Sequence, residues 1–177
     1  MPERGEYPKQ FETVLKLRDG TEVFVRPLKI EDRDKLYQLY VSLSKQTNYE
    51  RFFSRTHITM EMVEKWSDVN YIDSMALIAI ANEDGDEKIV ADSRFYLDKN
   101  TGEAEGAIVI LDTWQERGVG TKLIEYGLEV AKKMGVKKLR ADIAPDNRRI
   151  IHVMKKLGFQ VKWIPDIGGY EINLTLE

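Results

Sequence analysis

Ile108-Val109-Ile110-Leu111-Asp112-Thr113-Trp114-Gln115-Glu116-Arg117-Gly118-Val119-Gly120-Thr121 is the stretch on which the reading of this chain turns. Its four apolar residues read as the end of a strand. From Gly118 to Lys133 small or apolar residues (Gly120, Leu123, Ile124, Gly127, Leu128, Ala131) recur at steps of three and four, which predicts a helix packed on a sheet. The first turn of a helix has amide N–H groups with no internal partner, and its dipole places roughly half a positive charge there. A strand, a glycine-bearing loop and a helix N-terminus in that order make a seat for phosphate. Glycine suits the seat because a side chain would hold a diphosphate off the backbone, and Arg117 adds a charged donor. A Walker A loop is excluded, since no Gly-Lys-Ser/Thr follows at its spacing. The residues alone leave two other readings open. One is a dinucleotide site with Asp142 on the ribose, although Leu123 stands at the third glycine position; the other is a purely structural turn.

Downstream, Lys137 to Ala144 reads as a strand, Asp146 to Leu157 as a helix, and Phe159 to Ile164 and Tyr170 to Leu176 as strands. Upstream, Leu15 and Leu17 alternate with polar residues before Asp19-Gly20, and Val23 and Val25 alternate after it, which predicts a β-hairpin ended by Pro27. Helices are expected from Ile30 to about Ser44 and from Met60 to Val69. The apolar run Ser74 to Asn82 reads as a strand buried on both faces, followed by strands over Lys88–Leu97 and Glu103–Leu111 with turn-forming residues between. The fold class is mixed α/β: an antiparallel meander, then a strand-helix-strand unit whose strands can be parallel.

A chain of 177 residues with 42% hydrophobic and 32% charged residues suits one globular domain and excludes disorder, collagen and a coiled-coil rod. No run reaches the roughly 18 apolar residues of a membrane span, and Met1 to Gln10 is too polar for a signal peptide, so a cytoplasmic location is expected. Without cysteine there is no disulfide, thiol nucleophile or thiolate zinc site, and His57 and His152 alone do not make an all-imidazole metal site. The net charge is −3, unevenly spread. Lys132 to Lys156 holds nine basic residues against Asp142 and Asp146, +7 in all, which leaves −10 for the remainder and points a polyanion to the C-terminal half. Basic residues at helix C-termini offer a plainer account of the same segment.

Gln115-x-x-Gly118-x-Gly120 resembles the diphosphate loop Q/R-x-x-G-x-G/A of the GNAT superfamily of acyl-CoA-dependent N-acyltransferases. Asn147-Arg148-Arg149-Ile150 through Lys156-Leu157-Gly158-Phe159 resembles the next motif of that superfamily. The likeness extends to the Pat-type protein lysine acetyltransferases of bacteria and archaea, through Asp19-Gly20-Thr21, Arg26-Pro27, Glu31-Asp32, Tyr49-x-Arg51-Phe52-Phe53, Tyr71-Ile72-Asp73, Ala76-Leu77 and Ala104-Glu105. The resemblance implies a mostly antiparallel twisted sheet with a splayed parallel strand pair and about four flanking helices. Residues 1–20 then form an N-terminal extension with the first hairpin strand, and residues 21–177 a single acetyltransferase domain. The larger Pat-type proteins carry regulatory or synthetase domains for which 177 residues leave no room, so their nucleotide-gated regulation is not expected here.

What the resemblance implies for the site follows residue by residue. Acetyl-CoA is the cofactor, with Ile108, Val109, Ile110, Gln115, Glu116, Arg117, Gly118, Val119, Gly120, Thr121, Asn147, Arg149 and Met154 as its binding residues and no metal. Its pantetheine arm lies between the strand ending at Leu111 and the strand Lys137–Ala144, bonding main chain near Ile110. A free lysine, with a pKa of about 10.4, is almost wholly charged at neutral pH and needs a base to attack. Glu105, in a small apolar stretch, is expected as that base, its pKa raised by partial burial; Glu103 ranks second, and a solvated strand glutamate is the plain alternative. Many members carry a proton-giving tyrosine where Met154 stands, and a thioether has no proton to give. Tyr49 and Phe52, from the region between the first two helices, and Asp73, holding a cationic lysine, are expected to bind the acceptor.

The function implied is acetyl transfer from acetyl-CoA to a primary amine, foremost a protein lysine on a partner such as an acyl-CoA synthetase or a DNA-bound protein, by a monomer or homodimer without direct nucleic-acid or membrane contact. A small-molecule amine or a protein N-terminus is the alternative within the same chemistry. A non-catalytic acyl-CoA sensor, suggested by Met154, and a nucleic-acid-binding module, suggested by the +7 segment, are alternatives of other classes.

Overall fold

The computed structural model describes residues 4–176; Met1–Glu3 and Glu177, and with them the outer ends of the domain bounds and the start of the N-terminal stretch tested for a signal peptide, lie outside the described residues. Among the described residues eight strands form one sheet: β1 (Thr13–Lys16), β2 (Glu22–Pro27), β3 (Ser74–Glu83), β4 (Asp86–Asp98), β5 (Glu103–Ile110), β6 (Lys138–Ile143), β7 (Gln160–Ile164) and β8 (Gly169–Thr175). Their spatial order is β1-β2-β3-β4-β5-β6-β8-β7, antiparallel except for β5 and β6. Asp19 shapes the first turn by accepting the Thr21 N–H at 2.9 Å, and Gly20 supplies the φ of 87° that the turn requires.

Five α-helices among the described residues flank the sheet, one more than expected: α1 (Arg33–Val41), α2 (Lys45–Phe52), α3 (Met60–Ser67), α4 (Val119–Lys133) and α5 (Arg148–Lys156). The additional one is α2, which occupies the segment assigned to the space between the first two helices. Ser44 caps it by accepting the Thr47 N–H at 3.1 Å, and Phe53 ends it in the left-handed conformation. Phe53 in turn packs where Gly169 opens β8, and a Cβ at Gly169 would fall 2.7 Å from its ring.

β3 is buried over eight consecutive residues because each face meets its own layer. Met75, Leu77 and Ala79 join Leu123 and Val130 of α4 in one core, whereas Ala76, Ile78 and Ile80 join Leu36, Leu39 and Tyr40 of α1 and Val63 of α3 in another. A third core gathers Ile124 of α4, Met154 of α5, Ala141 and Ile143 of β6, Phe159 and Ile172. With no periodicity of 2 to read, such a strand is recognisable only as a short unbroken apolar run.

β5 and β6 pair over three positions only, Glu103 with Lys138, Ala104 with Leu139 and Glu105 with Arg140, and then part. That parting creates the site.

Candidate active site

Beyond Glu105 the main chain of β5 has, among the described residues, no strand to bond on one side. Leu111 N donates to Val90 O of β4 at 2.8 Å, so by the alternation of an antiparallel ladder Ile108 and Ile110 direct their amide groups the other way, into the gap. A narrow cavity of about 80 Å³ fills the gap, lined by Gly106, Ala107 and Ile108 on one side and Ala141, Asp142 and Ile143 on the other, with Met154 and Phe159 beneath. It shares Glu50, Arg51, Ile108, Asn147 and Ile150 with a wider cleft of about 540 Å³ between α2, the loop before α4 and the start of α5.

The cleft ends at the N-terminus of α4. Gly118, with φ 90°, begins that helix without any side-chain cap, so the amides of Val119, Gly120 and Thr121 keep their donors free of a capping side chain. A Cβ at Gly118 would meet nothing within 4 Å, which leaves the backbone approachable from the cleft. Gly120 is required for a different reason: a Cβ there would stand 2.7 Å from Ile110 Cδ1, so this glycine lets α4 close onto β5. Arg148 and Arg149, from the basic segment, line the same cleft, and Arg149 lies 3.5 Å from Glu116 across its mouth. Uncapped amides, a bare αL glycine and two guanidinium groups fit the diphosphate of coenzyme A.

The loop is held by its polar side chains. Gln115 Nε2 donates to Ile110 O at 3.0 Å and to Thr47 Oγ1 at 3.1 Å, joining the end of β5 to α2. Asp112 accepts from Ser44 N at 2.9 Å, Ser44 Oγ at 2.7 Å and Thr47 Oγ1 at 2.8 Å. Burial alone would raise its pKa; these three donors hold it below the usual aspartate range. Asn147 caps α5 by accepting the Ile150 N–H, and it faces both cavity and cleft.

Of the expected cofactor residues, Ile108, Val109, Ile110, Gln115, Glu116, Gly118, Gly120, Thr121, Asn147 and Arg149 line the cleft, and Met154 lines the cavity. One expectation is corrected. Arg117 turns away: its guanidinium stacks 3.8 Å from the Trp114 ring and reaches Asp19 and Thr21 of the first hairpin, where cation–π attraction favours it. Val119 points its side chain into the core at 1% exposure, so only its amide can serve a ligand.

The acceptor residues are also redistributed. Tyr49 and Phe52 line neither cavity: Phe52 stacks on Trp66, while Glu50 and Arg51 line both. Asp73 is bonded by Asn70 Nδ2 at 2.6 Å in the turn before β3 and lines neither cavity. Glu105 shares its face of β5 with the cavity residue Ala107, but it is not buried: its side chain is 60% exposed and lies 3.3 Å from Arg140. Arg140 also meets Glu103, Asp142 and Glu171 at 3.6 Å each, so one guanidinium orients carboxylates from three strands at the point where β5 and β6 part. Arg94, which no motif singled out, lines the cavity from β4.

Comparison with known proteins agrees with this geometry. The family model described as "Acetyltransferase (GNAT) domain" matches residues 22–160. "Acetyltransferase PA5475" of Pseudomonas aeruginosa is 30% identical over 154 residues, 86% of this chain and 83% of that protein. "Acetyltransferase Pat" of Mycolicibacterium smegmatis is 28% identical over 156 residues, 87% of this chain but 46% of that protein, so the chain spans about half of its length. The crystal structure of the GNAT domain of S. lividans PAT superposes with a TM-score of 0.87 at 27% identity, covering 97% of this chain and 100% of that one.

Proposed function

The chain belongs to the GNAT acetyltransferase family, as an N-acetyltransferase whose acyl donor is acetyl-CoA, and from that premise we propose that its acceptor is the side-chain amine of a protein lysine and that Glu105 is the base. Acetyl-CoA supplies an acetyl group already activated as a thioester. The amides at the start of α4, with Arg148 and Arg149, hold its anionic end, and the main chain of Ile108 and Ile110 lines its path into the gap. Around the gap Ala107, Ile108, Ile143 and Met154 exclude water, so a polar group aimed into it acts at a lower effective dielectric than in solvent.

Glu105 takes the proton that the lysine ammonium must lose, directly or through one water. Its exposure fits this task, because a protein lysine arrives from solvent and its proton must return there. Arg140 orients the carboxylate, and Asp142 continues the row of carboxylates to the cavity wall. Met154 gives no proton, and the departing sulfur takes none from that side chain.

The single observation that carries the reading is the parted β5–β6 pair, with an uncapped helix N-terminus at one end and Glu105 at the other. The acceptor class is supported by the likeness to Pat proteins over most of the chain. The test is incubation with radiolabelled acetyl-CoA and either folded lysine-bearing proteins or free amines such as spermidine. Mass spectrometry should place the label on lysine Nζ of a protein; label confined to free amines, or to protein N-termini, overturns the acceptor assignment.

A further inference from the structure

One buried ionic network stands against the cavity and is used by none of the steps above. Tyr40 of α1 and Asp92 and Arg94 of β4 lie on the same face of the sheet, with the Tyr40 hydroxyl donating to Asp92 Oδ2 at 2.7 Å and Arg94 Nη2 donating to the same oxygen at 2.7 Å. Asp92 is 1% and Arg94 5% exposed. Burial alone would lower the Arg94 pKa; Asp92 and Tyr40 outweigh it and hold the guanidinium charged. An ion pair this deep is often no more stabilising than apolar residues of the same volume, so its presence calls for a role.

Its orientation suggests one. Arg94 lines the cavity and Asp92 does not, so Arg94 is the cavity-side partner of the pair. The donors of the guanidinium can be assigned in turn. Nε and one Nη2 N–H go to Asp92, and the Nη1 pair goes to Trp66 O at 2.9 Å and Tyr96 Oη at 3.5 Å. Of five N–H groups, one on Nη2 is left without a partner among the described residues. Arg94 pairs across the ladder with Ala107, itself a cavity residue next to Gly106 and Ile108.

We propose that Arg94 is a further catalytic residue, whose spare N–H bonds the acyl carbonyl oxygen in the gap and stabilises the charge that this oxygen gains. The assignment rests on acetyl-CoA entering the gap. Once the ammonium's first proton has passed through Glu105 to solvent, the amine's lone pair forms the C–N bond and the carbonyl pair moves to oxygen; it returns as the C–S bond breaks and sulfur leaves with the bonding pair as a thiolate, while the nitrogen's surplus proton passes to Glu105. Arg94 is built for this because Asp92, Trp66 and Tyr96 fix it beforehand, so no reorganisation is needed when the charge appears. The same positive end disfavours an ammonium in the gap and favours the neutral, attacking amine.

The test uses acetonyl-coenzyme A carrying ¹³C in its ketone carbonyl, an unreactive replacement for the thioester, read by infrared difference spectroscopy. On binding the wild-type protein the carbonyl band should move to lower frequency than in water. In Tyr40→Phe/Asp92→Leu/Arg94→Met, which exchanges the network for apolar side chains, the shift should vanish while calorimetric affinity for the probe stays within threefold and kcat falls about 10²–10³-fold. Tyr40→Phe alone loosens the same core but leaves Arg94 and Asp92 in place, and should keep the band where it is in the wild type. Should the triple variant not fold, Arg94→Lys carries the comparison: its shorter ammonium loses the Trp66 and Tyr96 contacts and should lose most of the shift. Probe bound to wild-type protein without a downward band shift overturns the Arg94 assignment alone, as does a triple variant that keeps the shift or a Tyr40→Phe variant that loses it as fully as the triple variant. A wild-type protein that takes up neither the probe nor acetyl-CoA overturns the reading on which it rests as well.

Discussion

Gly118 separates the cost of backbone strain from the cost of charge. Its φ of 90° is one that L side chains rarely adopt, and a Cβ there meets nothing within 4 Å, so substitution brings conformational strain without a clash inside the protein. For alanine that strain is about 1–2 kcal/mol, and for aspartate less, because its short polar side chain tolerates the left-handed region and favours a helix N-cap. In a domain of this size each kcal/mol shifts the melting temperature by about 2–4 °C, so Gly118→Ala should melt about 2–8 °C lower and Gly118→Asp no lower than that. Affinity for coenzyme A should follow the opposite order. A carboxylate about 4 Å from one phosphate charge costs about 1 kcal/mol in bulk water and about 4 kcal/mol at an effective dielectric of 20, a further loss between about fivefold and about a thousandfold relative to the alanine variant. Thermal denaturation and isothermal calorimetry on both variants read the two effects separately. Equal coenzyme A affinity in Gly118→Ala and Gly118→Asp would show that the diphosphate does not lie at the start of α4, and an alanine variant as stable as wild type would refute the strain argument.

Glu105→Gln keeps the shape of the side chain and removes its capacity to take a proton, so kcat should fall at least tenfold with acetyl-CoA affinity unchanged by calorimetry; an unaltered kcat would reject it as the base. Gly169→Ala would place a Cβ 2.7 Å from Phe53 Cε1 and 2.8 Å from Ile143 O, an overpacking of about 1–3 kcal/mol visible as a lower urea midpoint. Asp32, beside Arg26, and Asp112 both titrate lower in the folded protein than in the unfolded chain, despite burial that opposes this. Their stabilisation is therefore present above the ordinary aspartate pKa and lost as pH falls through the lowered folded values. The stability gap between wild type and Asp32→Asn/Asp112→Asn should be constant near neutrality and shrink below about pH 4; a gap that widens on acidification would reverse the sign.

Much of the fold was legible because it is written in local rules. The Asp19-Gly20 turn, the apolar run of β3, the three- and four-residue spacing of α4 and the Asn147 cap of α5 each act within one element; the elements that were expected begin and end within about two residues of their expected bounds, except α1, which is three residues shorter at each end. α2 was missed for a reason of the same kind. Lys45–Phe52 buries only Thr47, so it has no apolar stripe to count, and Ser44 as a cap was its one signal. Without the helix there was no phase, and without the phase Tyr49 and Phe52 could not be told from Glu50 and Arg51.

The sequence by itself determined the strand, glycine-bearing loop and helix N-terminus on which the proposed phosphate seat rests, since unpaired amides and a glycine turn are properties of a few consecutive residues. Only the tertiary structure decided which charges meet. Arg140 gathers Glu103, Glu105, Asp142 and Glu171, Arg117 leaves the cleft for Trp114, and Arg94 is buried in a pair with Asp92. The direction and partners of a long charged side chain depend on neighbours distant in sequence. They are fixed only when strands from both ends of the chain come into register.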